Sequence, residues 1–327
     1  MLLKSKKIIF ALLMMLGIIF VNNSSLFVSK SAEPPLLMAH RGLAQTFPMA
    51  GITSDTNTAA IIYEPEHPYL ENTLASMQAA FAAGADVVEL DIHPTTDGQF
   101  AVFHDWILDY RTEGTGPVRE HPMSELKQLD VGYGYTADNG KTYPFRGKGV
   151  GLMPTLDEVL SAFPDKELLI NIKSNDPEEG ELLADYLLTL PEARLASLAV
   201  YGGDQPIYVL QERLPDLRVM SLATMKKGLL SYFLIGWTGY IPKSIRNTQL
   251  HLPQNYARFL WGWPHRFVQR MEKVNTRVIL VNGSGQWSEG FDTIEDLQQL
   301  PINYSGGIWT NRIDRIAAAV KEKLIRD

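Results

Sequence analysis

The chain has 327 residues, 45% of them apolar, and a formal net charge of −7. That is material for one large α/β barrel with a full core, and the acidic balance argues against a general nucleic-acid binder, which normally shows a basic face. No cysteine is present, which excludes a disulfide framework, a thiolate metal site, a cysteine nucleophile and a cysteine-linked lipid anchor.

At the N-terminus Lys4, Lys6 and Lys7 precede an apolar run over residues 8–21. A basic start before such a run reads as a signal peptide or N-terminal membrane anchor occupying residues 1–31. The run falls short of the ~20 apolar residues that span a bilayer. Ser29-Lys30-Ser31 is the nearest small-x-small cleavage pattern. In either case the basic end stays cytoplasmic. Residues 32–327 are then exported: periplasmic, secreted, or anchored facing outward. A run apolar on every side does not suit a helix buried in a soluble core.

Beyond the leader, β-rich runs alternate with helical patterns, which predicts βα units and a parallel sheet. Strands are expected at 36–40, 87–93, 100–103, 168–172, 198–201, 218–222, 248–252, 278–281 and 307–309. Thr155 with Glu158 three residues on has the form of a capping box. Parallel neighbours need a crossover of about a dozen residues or more. The five residues "PTTDG" cannot supply one, so 100–103 should return as a hairpin partner of 87–93. Eight strands remain, which predicts a (β/α)8 TIM barrel with a β-hairpin and loop insertions. The insertions are 43–70, 131–153 and the aromatic stretch 232–267. Loops of such length are usually lids or binding loops; the aromatic stretch can equally be core beneath an extra helix.

Chemistry gathers at the ends of three expected strands. In "VVELDIH", Val88, Leu90 and Ile92 share one face and Glu89, Asp91 and His93 the other. The polar face should point into the barrel near the strand's C-terminal end, where barrel enzymes place their chemistry. Two such carboxylates need compensation when buried. A divalent cation, Mg²⁺ or Ca²⁺ for oxygen donors, is one solution; bonding to Lys or Arg with partial solvation is another. The hairpin should bring His104 roughly opposite Glu89, as a general acid or base. His40 and Arg41 follow the first strand, and arginine's planar fork suits phosphate oxygens. Asn171 and Lys173 share a face on a third strand, where Lys173 adds positive charge. His67, His121, His251 and His265 read as surface or structural residues.

Taken in order, "AHRG" (39–42), "ENT" (71–73), "ELDIHPTTDGQFAVFHD" (89–105), "MPTLDEVL" (153–160), "NIK" (171–173) and, more weakly, "GGIWTNRID" (306–314) resemble the glycerophosphodiester phosphodiesterase family. The resemblance implies a TIM barrel that hydrolyses glycerophosphodiesters to glycerol 3-phosphate and an alcohol. It implies His40 and His104 as the acid–base pair, and Arg41 and Lys173 on the substrate phosphate. Glu89 and Asp91 would hold one divalent cation, Mg²⁺ or Ca²⁺, with Glu71 and Asn72 in support and Glu71 orienting Arg41. The family usually has a glutamate two residues before the lysine as a third ligand. Here Asn171 stands there, so weaker metal binding is expected. The 43–70 insertion also separates "HRG" from "ENT", which are usually closer; it is expected to overhang the barrel mouth as a lid that shapes alcohol selection. Two other readings stay open. One is a lysophospholipase D or sphingomyelinase D-like phosphodiesterase acting on a lysophospholipid or related lipid, with membrane association through the N-terminus. The other is a non-catalytic glycerophosphodiester-binding protein.

Overall fold

A computed structural model describes residues 2–28, 33–53, 55–285 and 289–326. Its elements follow in chain order: α1 (Leu2–Asn23), β1 (Leu36–Ala39), α2 (Leu74–Ala83), β2 (Val87–Pro94), β3 (Phe100–Val102), α3 (Met123–Leu126), α4 (Leu156–Ala162), β4 (Glu167–Ile172), α5 (Pro177–Leu187), α6 (Glu192–Leu195) and β5 (Leu198–Gly202). They continue with α7 (Asp204–Arg213), β6 (Arg218–Ser221), α8 (Leu222–Ile235), β7 (Gln249–Pro253), α9 (Gln254–Ala257), α10 (His265–Glu272), β8 (Arg277–Val281), α11 (Ile294–Gln298), β9 (Gly307–Thr310) and α12 (Ile313–Arg326). Every expected strand is present, with its ends displaced by no more than one residue.

Eight parallel strands lie side by side in the order β6-β5-β4-β2-β1-β9-β8-β7, and β3 folds back antiparallel on β2. The result is a nearly closed (β/α)8 barrel. Its seam lies between β6 and β7, where no ladder joins the described residues. There the Thr248 hydroxyl donates to the Val219 carbonyl instead. The hairpin pairs Ile92 with Val102. Continued along the strand, that register sets His104 level with Leu90, one residue from the expected position opposite Glu89. The turn itself sets the offset, since Thr95 and Gln99 close it backbone to backbone.

The alternation along β2 holds. Val88, Leu90 and Ile92 join the main core beneath the helices, whereas Glu89, Asp91 and His93 are buried on the opposite face. Inside the barrel Met38, Val87, Leu169, Ala199, Ile279, Val281 and Trp309 form an apolar floor. Each fully buried aliphatic side chain of this kind contributes about 1.5–3 kcal/mol. The polar groups of the strands stand above this floor. The Thr155 capping box is present: its hydroxyl accepts from Glu158 N, and the Glu158 carboxylate accepts from Thr155 N.

The two insertions near the mouth are not loose. Ala59, Ile62 and Leu70 from the first pack with Phe103, Leu108 and Met123, and with Val131, Tyr135, Phe145 and Met153 from the second, in a separate apolar core. The 131–153 segment, expected as a long loop, is therefore part of a built wall. The aromatic stretch divides: Tyr232, Leu260 and Phe267 are buried, while Phe233, Trp237, Tyr240, Phe259 and Trp261 are exposed. Helix α1 is longer than the apolar run, continuing through Asn22 and Asn23. Its stretch Lys6–Asn23 is long and apolar enough to cross a membrane, with none of it buried against the barrel. The candidate cleavage site Ser29-Lys30-Ser31 lies outside the described residues.

Candidate active site

At the end of β1 the backbone turns through two left-handed residues, Arg41 (φ +58°) and Gly42 (φ +77°). A Cβ on Gly42 would sit 2.6 Å from Ser76 Oγ and 2.9 Å from Met77 N, so only glycine fits against the start of α2. The left-handed arginine costs roughly 1–2 kcal/mol. Its partners offset that. Arg41 N donates to Glu89 Oε2 at 3.1 Å, one guanidinium NH₂ donates to Glu71 Oε1 at 3.0 Å, and Nε lies 3.3 Å from Asp91 Oδ2. The local backbone thus aims Arg41 at the carboxylates of the neighbouring strand.

Asp91 is the hub. Its carboxylate accepts from Asn72 Nδ2 at 3.0 Å and Asn171 Nδ2 at 2.8 Å, and Lys173 Nζ lies 3.5 Å away. Asn72 also accepts from Asp91 N, which locks the pair together. Burial alone would raise this carboxyl, but the charges of Lys173 and Arg41 hold it well below the usual range. Glu89, two residues earlier on the same face, goes the other way. Burial, then the charge of Asp91, push it up to about 8. Its oxygens meet Tyr201 OH at 2.7 Å and Arg41 N.

The two histidines are each oriented through Nδ1. His104 Nδ1 lies 2.6 Å from Asp105 Oδ1, and Asp105 Oδ2 is 2.9 Å from Arg111 Nε. Arg111 also reaches Glu71 Oε1 at 3.3 Å, closing a buried chain from His104 back to Arg41. His40 Nδ1 lies 2.7 Å from Asn311 Oδ1, while the Asn311 amide NH₂ donates to Asp292. Asn311 therefore accepts and His40 Nδ1 donates, which leaves His40 Nε2 as the basic nitrogen. Burial, then Arg41, pull His40 down to about 3; burial with Arg41 and Lys173 holds His104 well below its usual value. The 3.8 Å approach of His40 Nε2 to Glu89 is accordingly not an ion pair at neutral pH. Both imidazoles present an uncharged, hydrogen-bond-tuned base.

His40, Arg41, His104, Asn171 and Lys173 line one cleft of about 550 Å³, whose outer wall includes Phe47, Ile52 and Thr56 of the 43–70 insertion. Glu89 and Asp91 lie beneath it, and Glu71 and Asn72 stand behind. The structure brings all nine sequence-selected residues together. It adds Asp105, Arg111, Tyr201, Asp292 and Asn311, to which the sequence reading assigned no role. Asn311 lies inside the weak "GGIWTNRID" match and Tyr201 follows the inward period of β5. Arg111 and Asp292 carry no local signal. His251 is half-buried in the barrel wall 5.1 Å from the Tyr201 ring, and the Trp309 ring lies tilted 4.7 Å from His40.

The donor set fits a hard divalent cation. Among the described residues no three His, Cys, Asp or Glu side chains form a metal cluster. Glu89 and Asp91 nevertheless put two carboxyl groups on one buried face, with Asn171 level with Asp91 on the neighbouring strand. Asn171 now turns its NH₂ to Asp91; rotating the amide would offer a third oxygen. Oxygen-only ligation suits Mg²⁺ or Ca²⁺ over zinc.

Comparison with known proteins places this geometry. The model of the glycerophosphoryl diester phosphodiesterase family matches residues 40–225, more than half of the chain. A glycerophosphodiester phosphodiesterase of Caldanaerobacter subterraneus is 38% identical over 103 residues, which is 32% of this chain and 39% of that relative's length. A glycerophosphodiester phosphodiesterase structure from Agrobacterium tumefaciens superposes with a TM-score of 0.58 at 22% identity, covering 88% of this chain and 99% of the other. A phosphodiesterase of Oleispira antarctica, solved with the product sn-glycerol-3-phosphate, gives 0.56 at 19% identity over 88% and 97%. The family match contains the His40–Arg41 corner, both β2 carboxylates, His104 and Lys173, and on that match the chain belongs to the glycerophosphoryl diester phosphodiesterase family.

Proposed function

We propose that the chain is a metal-dependent phosphodiesterase that hydrolyses glycerophosphodiesters to glycerol 3-phosphate and an alcohol, working on the outer side of the membrane from which its N-terminal helix leads. The observation that carries this reading is the pair of imidazoles, each with Nδ1 tied down, facing a cleft that also holds Arg41 and Lys173. The neighbour's glycerol 3-phosphate complex supports the substrate class.

Arg41 and Lys173 receive the phosphate. One imidazole takes the proton of the glycerol 2-hydroxyl, whose oxygen forms a bond to phosphorus while the bond to the leaving alcohol breaks. The other imidazole, whose pKa rises when the phosphate anion enters beside it, gives the departing oxygen its proton. Water then opens the cyclic phosphate with the two roles exchanged. Arg41 and Lys173 balance the charge that develops on the phosphoryl oxygens. A divalent cation held by Glu89, Asp91 and Asn171 would supply Lewis acidity and lower the hydroxyl's pKa. The test is glycerol 3-phosphate release from glycerophosphocholine with EDTA, Mg²⁺ or Ca²⁺. Metal-stimulated release is expected, and His104→Ala should lower kcat by about 10²–10⁴. Equal release by the variant would remove His104 from the chemistry.

A second substrate reading has its own support. A cavity of about 610 Å³ adjoins the site at Tyr201 and Trp309 and is walled by Met220, Leu222, Met225 and Leu252. Its apolar lining suits a single-chain lipid diester. Choline release from lysophosphatidylcholine against glycerophosphocholine separates the two.

A further inference from the structure

One stretch breaks the acidic character of the chain. Between Asp216 and Glu272 there is no Asp or Glu at all, yet the stretch carries eight Lys and Arg. It includes α8, α9 and most of α10. Lys226, Lys227, Lys243, Arg246 and Arg258 are exposed. Apolar side chains stand out between them: Leu230 and Leu234 are each 62% exposed, Phe259 60% and Phe233 50%. Leu230, Phe233 and Leu234 are spaced to share one face of α8, and its opposite stripe, Met225, Gly228 and Tyr232, is buried. Trp261 Nε1 donates to the Phe233 carbonyl at 2.8 Å, which joins the two exposed aromatic groups into one flank.

The same flank grips the end of α1. The side-chain amides of Asn22 and Asn23 donate to the Trp237 carbonyl at 3.1 and 2.8 Å. Arg270 is buried and bonds four acceptors: Asn22 O, Asn23 Oδ1, Tyr232 OH and Gly236 O. Ser25 Oγ meets Gly262 O and the backbone N of His265. Cutting α1 away would strip two of the four acceptors from a buried guanidinium, which is costly. The stretch Lys6–Asn23 has 18 residues and is ~27 Å long, close to the ~30 Å of a bilayer's apolar core. Residues that bond the end of a spanning helix must lie at the bilayer surface. Trp237 and its exposed neighbours are then at the depth where aromatic side chains are favoured.

We propose that α1 is retained as an anchor and that the acid-free flank of α8 and residues 233–261 is a lipid-binding face resting on an anionic bilayer. Lysine on the polar rim and Phe, Leu and Trp beneath are the pattern of interfacial helices. Exposed Leu and Phe between the lysines favour lipid over nucleic acid. A second copy of this chain fits poorly, because its own flank would bring like charge against like charge.

The experiment reconstitutes the full chain in vesicles of brominated phosphatidylcholine, with and without phosphatidylglycerol, and reads tryptophan quenching. Trp237→Phe should remove much of the lipid-quenched signal, whereas Trp106→Phe should remove little of it. Lys226→Glu with Lys227→Glu should abolish the extra quenching that phosphatidylglycerol brings. Intact mass of the membrane-extracted chain should include residues 2–28. A mature chain starting beyond residue 28, quenching indifferent to both Trp237→Phe and Trp261→Phe, or a flank shielded by dimerisation would each overturn the proposal.

Discussion

Glu89 and Asp91 share a face and a depth, yet their carboxyls are shifted in opposite directions. The difference comes from neighbours: Asp91 faces Arg41, Lys173 and two amide NH₂ groups, while Glu89 faces Tyr201 and the charge of Asp91. Asn171 sits at the balance point, donating to Asp91 where the family usually carries a glutamate. Restoring that charge by Asn171→Glu removes a donor from Asp91 and adds repulsion, which a bound cation would relieve. One unit charge at ~4 Å is worth about 4 kcal/mol at an effective dielectric of ~20, before desolvation takes part of it back. The Kd for Mg²⁺ or Ca²⁺ should fall by about tenfold or more, which needs only ~1.4 kcal/mol; calorimetric titration measures it, and an unchanged Kd would mean that Asn171 is no ligand. These carboxylates were legible in the sequence because alternation along one strand is a local rule. Arg111 and Asp292 were not, because their partners are fixed by how distant segments pack.

At the scale of elements, the 43–70 insertion illustrates what sequence patterning misses. Its length marked a lid, but its packing against the 131–153 segment depends on contacts between two irregular stretches with no period to read. Its outer part is tied down by charge. Glu66 pairs with Arg312 at 2.6 Å and with Arg315 at 2.5 Å, at the junction of β9 and α12. Hydrogen bonds from Arg312 and Arg315 pull this exposed carboxyl down to about 2. The folded value lies below the ordinary 4.5, so the contribution is complete above 4.5 and is lost as pH falls from there toward 2. Exposed pairs are screened, and two together are worth on the order of 1 kcal/mol. Glu66→Gln should therefore speed amide exchange within 43–70 by no more than about fivefold at pH 7, with the barrel strands unaffected. Wild type and variant should converge as pH drops through the same window. Identical exchange at pH 7 would show that the tether holds nothing.

For the molecule as a whole, the barrel was legible because nine strand periods and one connection too short for a crossover leave a single count. The seam was not legible, since nothing in a strand's own sequence says whether its edge finds a partner. β6 bonds β5 and β7 bonds β8, but across the gap the Thr248 hydroxyl donates to the Val219 carbonyl, with the Asn247 amide on the Pro215 carbonyl where the two strands begin. Thr248 is 6% exposed, so the carbonyl it serves has little access to water. Thr248→Val keeps the shape and deletes the donor. Leaving that acceptor unpaired should cost about 1–3 kcal/mol in urea unfolding. If the seam is where the barrel opens, exchange at β6 and β7 should rise together in the variant while β1, β2 and β4 keep their protection. A uniform rise over all eight strands would instead mean that the barrel opens as one unit, with the seam no weaker than the ladders on either side of it.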